Sequence, residues 1–174
     1  MNYLAVFLCV LLVAGCNNAS DQSPVVSFET GDSGVYYSYS PEYTSGYTIG
    51  DFGQVKTVTE IWKHYENGDL MLAAPQFADN LTIVFPDHTI SGAKDSVLAQ
   101  LKAEREAFIA VQCSISSWLP VRTKEKKDEW VFLWGKQIRS DKNGGTRSIE
   151  VHEIWQFDKQ GKVQFMQQYH TRVM

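Results

Sequence analysis

The sequence has little cysteine, no basic excess and no close-set metal or nucleophile motif, and each lack closes off a class of function. Its 174 residues carry three cysteines, Cys9, Cys16 and Cys113, too few and too scattered for a disulfide framework. Lysine and arginine number 16 against 20 aspartate and glutamate, a net charge of −4, so nothing in the balance draws the chain to nucleic acid. No Cys-x-x-Cys or His-x-x-x-His pair offers metal ligands at working spacing. No Gly-x-Ser-x-Gly marks a hydrolase elbow. Asn143-Gly144-Gly145 lies between two strand candidates, where a hairpin turn belongs; a phosphate cradle would need a helix next. No metal, cofactor or nucleic-acid partner is expected. What is present suffices for a core: 44% of residues are hydrophobic and 13% aromatic, in a length that fits one domain.

Charge is also missing from residues 1–15, MNYLAVFLCVLLVAG. The apolar run from Tyr3 to Ala14 falls short of the roughly 20 residues a spanning helix needs and has the size of a secretory h-region. Val13-Ala14-Gly15-Cys16 directly follows it and resembles a bacterial lipobox, in which small residues admit a signal peptidase and the cysteine sulfur takes the lipid. Met1-Asn2-Tyr3 departs from that pattern in lacking Lys or Arg; the alternative is an ordinary secretory signal with an incidental cysteine. The resemblance implies a signal peptide over 1–15, lipidation of Cys16, and a lipid anchor in the bacterial cell envelope. Asn17 stands where an Asp would suggest inner-membrane retention, which favours the outer membrane. Cys113 is then the one thiol left, and its β-like surroundings make it an inert core residue rather than a nucleophile.

Lysine and arginine are absent again between Cys16 and Lys56. Residues 16–49, rich in Ser, Gly and Tyr, read as the lipidated cysteine and a tether, and residues 50–174 as the folded domain. Asp51-x-x-Gln54 is close to a capping box, and Val55, Val58, Ile61, Trp62 and Tyr65 follow at helical spacing up to Asn67-Gly68. Pro75 shortens or breaks the helical segment Leu70 to Ala78. A strand over Leu81 to Phe85, a turn at Pro86-Asp87-His88 and a helix from about Ala93 to Glu106 come next. The period then changes to two, giving four long strands at about Ile109–Arg122, Trp130–Arg139, Thr146–Asp158 and Lys162–Arg172, joined by short polar turns. Helices first and antiparallel strands after read as α+β.

That order, with Ile61-Trp62-Lys63-His64-Tyr65, Phe77-Ala78-Asp79-Asn80-Leu81-Thr82, Gly92-Ala93-Lys94 and the hairpin His152 to Val163, resembles the nuclear-transport-factor-two-like superfamily with its SnoaL-like cyclases and ketosteroid isomerases. The resemblance spans about Gly50 to His170. It implies a cystatin-like cone, a curved antiparallel sheet wrapped around a long N-terminal helix with an apolar pocket open at one end. It does not imply one reaction, since the superfamily holds enzymes, binding proteins and dimerisation modules.

Trp62, Tyr65, Phe85, Trp134, Trp155 and Tyr169 are the expected pocket-lining residues, suited to a small apolar or ring-shaped ligand. The catalytic members carry carboxylates, Tyr or His in the cavity, and the candidates here are Asp87, His88 and His152. Asp87-His88 also reads as a solvated turn. His152 enters the cavity only if its face of the strand, and not that of Val151 and Trp155, points inward; Glu153 interrupts the latter, apolar face. Without a clear interior acid–base pair, the first reading is a lipid-anchored domain that binds a small molecule or a protein partner. The alternatives are an isomerase, cyclase or hydratase using an Asp or His, and a structural envelope protein forming a homodimer through its sheet.

Overall fold

The computed structural model describes residues 46–173 together with Ser38 and Tyr39. The signal segment, Cys16 and most of the tether lie outside the described residues. The chain divides into two units, Met1–Ser40 and Pro41–Met174, and every element described belongs to the second.

Strand β1 (Tyr47–Ile49) precedes helix α1 (Phe52–Asn67), whose N-cap Asp51 accepts a hydrogen bond from the Gly53 amide at 2.7 Å. The helix stops at Gly68, whose φ of 81° closes the C-terminus with amide bonds back to the last turn. A 3₁₀ segment (Leu70–Gln76) holds Pro75, and β2 (Phe77–Val84) turns through an Asp87-His88 corner, closed by Phe85 N–H to His88 O at 2.8 Å, into β3 (Thr89–Ala93). Helix α2 (Lys94–Arg105) leads to β4 (Phe108–Thr123), β5 (Glu129–Asp141), β6 (Thr146–Phe157) and β7 (Val163–Val173). The secondary structure is α+β, as expected.

The seven strands form one curved, unclosed sheet in the order β1-β4-β5-β6-β7-β2-β3. All pairs are antiparallel except β2 with β7, so the sheet is not purely antiparallel. Two further differences from the sequence expectation appear. Tyr47–Ile49, assigned to the tether, pairs with Val121–Thr123 as an edge strand; three residues carry too little pattern to mark it. Thr89–Ala93, which had no strand assigned, pairs with Asn80–Val84, its periodicity masked by Gly92 and by the helix that starts at once.

The core lies between α1, α2 and the concave face of the sheet, where Val58, Val97, Leu98, Val131 and Leu133 are fully buried. Bending the sheet around α1 requires Gly135. A Cβ there would come within 2.7 Å of the Trp62 ring and of the Ser114 carbonyl, and the β4–β5 register shifts at that point, between Ile115 and Ser117. A backbone without a side chain lets the indole pack directly against the strand. Arg105, buried on α2, locks the other end of α1: it donates to the carbonyls of Tyr65, Glu66 and Phe108 at 2.7–3.0 Å, satisfying carbonyls that the helix end leaves open.

Candidate functional site

Strand alternation sends Val151, Glu153, Trp155 and Phe157 of β6 inward, together with Leu133, Gln137 and Arg139 of β5 and Met166, Gln168 and His170 of β7. Glu153, Trp155, Gln137, Arg139, Met166, Gln168 and His170 of this set, with Ile61, Trp62 and Tyr65 of α1, Leu101 and Glu104 of α2, and Phe77, Ile83 and Phe85, line a cavity of about 330 Å³. Its walls are apolar. Its polar groups sit on the sheet and around the Asp87-His88 corner.

Glu153 is the buried acid of this cavity, 2% exposed. Its Oε2 accepts from the indole N–H of Trp62 at 2.6 Å and of Trp155 at 3.0 Å, and its Oε1 accepts from the Gln168 amide at 2.7 Å. Burial pushes its pKa above the ordinary glutamate value, against the three hydrogen bonds and the more distant Arg139 charge, which favour the ion. Burial outweighs them, with no ion pair to the carboxylate within 4.0 Å among the described residues. A carboxyl held in this way keeps its proton to higher pH than a free glutamate, which suits it to acid–base chemistry. Glu153 was missing from the expected site residues. Its signal was the break it makes in the apolar face of β6, since a carboxylate on a core-facing position needs a reason.

Arg139 and Gln137 share the cavity. The Arg139 guanidinium donates to the Gln137 carbonyl oxygen through Nε at 3.0 Å and Nη2 at 2.6 Å, and lies 5.4 Å from the Phe108 ring centre. The Tyr65 hydroxyl, also burial-shifted upward, lines the same space. Cys113 packs against the core and is pushed up to about 12 by burial, which makes it a poor nucleophile.

The expected site residues divide between the two faces of the sheet. Trp62, Tyr65, Phe85 and Trp155 line the cavity, and Asp87 and His88 stand at its edge. There His88 joins two carboxylates, Nδ1 to Asp87 at 2.8 Å and Nε2 to Glu104 at 2.8 Å, and stacks on Phe85 at 4.8 Å. Those contacts, the Asp87 bond foremost, raise the His88 pKa, and the same bond lowers that of Asp87. Trp134, Tyr169 and His152 are corrected: none lines the cone cavity. They form a ladder on the outer face across β5, β6 and β7, with Trp134 and His152 stacked at 4.7 Å and 7° and Tyr169 at 6.1 Å from His152. Trp134 and Tyr169 are 38% and 49% exposed, beside a shallower cleft of about 220 Å³. Trp134 and Trp155, both expected in the pocket, lie on opposite faces. The physical reason is volume: the Trp62 ring lies against Gly135 of β5, leaving no room for a large side chain on the inner face beside it. No cluster of metal-ligating side chains exists among the described residues.

No family model and no curated protein matches the chain. Solved structures do. An NTF2-like protein of unknown function from Exiguobacterium sp. 255-15 superposes with a TM-score of 0.54 at 11% identity, over 66% of this chain and 98% of its own. AusH from Aspergillus nidulans gives 0.56 at 14% identity, over 71% and 87%. The fold is NTF2-like. The epoxide hydrolase/cyclase-like enzyme SalBIII, which acts in pyran ring formation in the polyether salinomycin, shares it at a TM-score of 0.51 and 17% identity, over 68% and 91%. The NTF2-like neighbours thus include both enzymes and proteins of unassigned activity, and at these identities the likeness carries the fold alone.

Proposed function

We propose that the NTF2-like cavity binds a small, largely apolar ring molecule and that Glu153 transfers a proton on it, in a domain held at the bacterial envelope by a lipidated Cys16. One observation carries the catalytic part: a buried carboxyl faces an apolar cavity, hydrogen-bonded by three neutral donors and unpaired by any cation among the described residues. The sequence favoured binding without turnover because it offered no interior acid–base group; Glu153 supplies one, so the weight moves to the isomerase, cyclase or hydratase reading. Trp62, Trp155 and Gln168 fix the carboxyl and keep water from it, and Tyr65 offers a hydroxyl to a ligand oxygen. Asp87 and His88 are engaged with each other and with Glu104 at the edge of the cavity, which suits them to closing it rather than to the proton transfer.

The test needs no knowledge of the natural substrate. A ring ketone such as 2-tetralone exchanges its α-hydrogens for deuterium in D₂O, and a positioned carboxylate accelerates that exchange. NMR should find the acceleration in the wild type and its loss by about 10²–10⁴ in Glu153→Gln. Equal exchange rates in the two proteins would leave a binding site without catalysis. The anchor rests on the Val13-Ala14-Gly15-Cys16 motif, and Cys16→Ser should move the protein from the membrane fraction to the soluble one, with mass spectrometry of the wild type locating the lipid.

A further inference from the structure

Arg139 is a cation without a contacting anion among the described residues; Glu153 feels its charge but is not within ion-pair distance. Among the described residues its guanidinium meets one neutral amide, Gln137, and one ring, Phe108, and no carboxylate lies within ion-pair distance. Gln137 is itself 3% exposed and spends its carbonyl oxygen on Nε and Nη2, so the fork is held in place while Nη1 makes no hydrogen bond among the described residues. Arginine stays charged at any physiological pH, and the half-buried Arg139 guanidinium has given up part of its hydration without a contacting counter-charge, a cost that an arriving anion offsets. The cavity carboxylates do not serve. Asp87 and Glu104 are engaged with His88, and Glu153 is occupied by two indoles and an amide.

We propose that Arg139 receives the carboxylate of the ligand, so that this cavity takes an aromatic or alicyclic carboxylic acid: a ring body against the apolar walls and one oxyanion on the guanidinium. The proposal rests on the reading of the cavity as a ligand site and names the ligand class. A carboxylate matches the planar fork of arginine better than any neutral oxygen does. The acid at the floor, shifted upward by burial, is less often ionised than a free glutamate, which lowers the repulsion an entering anion would meet.

Two probes of one shape separate the terms, 2-naphthoate and the uncharged 2-naphthalenemethanol, followed at pH 7 by quenching of the cavity tryptophans. The wild type should bind naphthoate about tenfold to a hundredfold more tightly than the alcohol. Arg139→Gln should abolish that preference, lowering naphthoate affinity by at least about tenfold more than alcohol affinity. Arg139→Lys keeps stem and charge but not the fork, and stands in if the Gln variant fails to fold. A severalfold fall in its naphthoate affinity supports the proposal, and an unchanged affinity overturns it. Equal binding of both probes by the wild type would overturn the carboxylate assignment and leave the ligand cavity standing. So would a preference that survives in Arg139→Gln. Failure of both probes to bind would overturn the assignment together with the cavity reading beneath it.

Discussion

The two faces of the β5–β7 sheet carry similar chemistry and opposite roles. Inside, Trp62, Trp155 and Glu153 form one hydrogen-bonded group at 2–4% exposure; outside, Trp134, His152 and Tyr169 form a stacked ladder whose two aromatic ends are more than a third exposed. Both contain an indole and an ionisable side chain. The inner group is buried under α1, so its carboxyl loses water and its pKa rises; the outer one keeps water at its edges. Burial, not residue type, separates the two faces.

The largest effect should come from the inner face. Trp62→Ala removes a buried ring and one donor to Glu153, and should cost about 3–5 kcal/mol in denaturant unfolding; a loss under about 1 kcal/mol would erase the contrast between the faces. Gly135→Ala should follow, destabilising by about 1–3 kcal/mol because its methyl must displace the Trp62 ring or the Ser114 carbonyl. A stability equal to wild type would show that the indole does not lie on the sheet at that residue. On the outer face, Trp134→Ala removes a half-covered ring and one stacking partner, and should cost no more than about 1.5 kcal/mol; a cost matching that of Trp62 would mean that a partner surface covers the ladder.

The smallest effects are those of pH, and they too differ by group. The Glu153 pKa is raised in the folded state, so the native protein binds this proton more firmly than the unfolded chain. Stability from this group is therefore greatest at acid pH and falls as pH climbs from about 4.3, the unfolded value, through the raised folded one. Glu153→Gln should flatten that fall in a series of thermal melts. His88, also raised, contributes stability that is full below about 6.5 and is lost as pH rises through its folded value. His88→Gln should remove a shallow slope there, discounted by solvent because the side chain is 43% exposed.

Much of the fold was legible because its signals are local. The Asp51 cap, the Gly68 stop, Pro75 in the 3₁₀ segment and the polar turns between the four long strands all act within a few residues. The site was harder to read because facing is decided by distant packing. Alternation separates Val131 and Leu133 from Phe132 and Trp134, but whether the branched or the aromatic set turns inward depends on Trp62, some seventy residues earlier, meeting Gly135. His152 was left undecided for that reason, and Trp134 and Tyr169 were put on the wrong side. Glu153 was visible only as an interruption in an apolar face. Gln137 and Arg139, polar residues near a strand end, look in sequence like any solvated pair.

The account turns on the charge state of one carboxyl, and a titration reads it without any ligand. With glutamate labelled at the side-chain carboxyl carbon, ¹³C NMR from acid to neutral pH should show one resonance titrating above the ordinary value of about 4.3, and that resonance should vanish in Glu153→Gln. A Glu153 signal that titrates at or below the ordinary value would contradict the account: the carboxylate would then be a permanent anion anchoring two indoles, and the cavity would have no buried acid to work with.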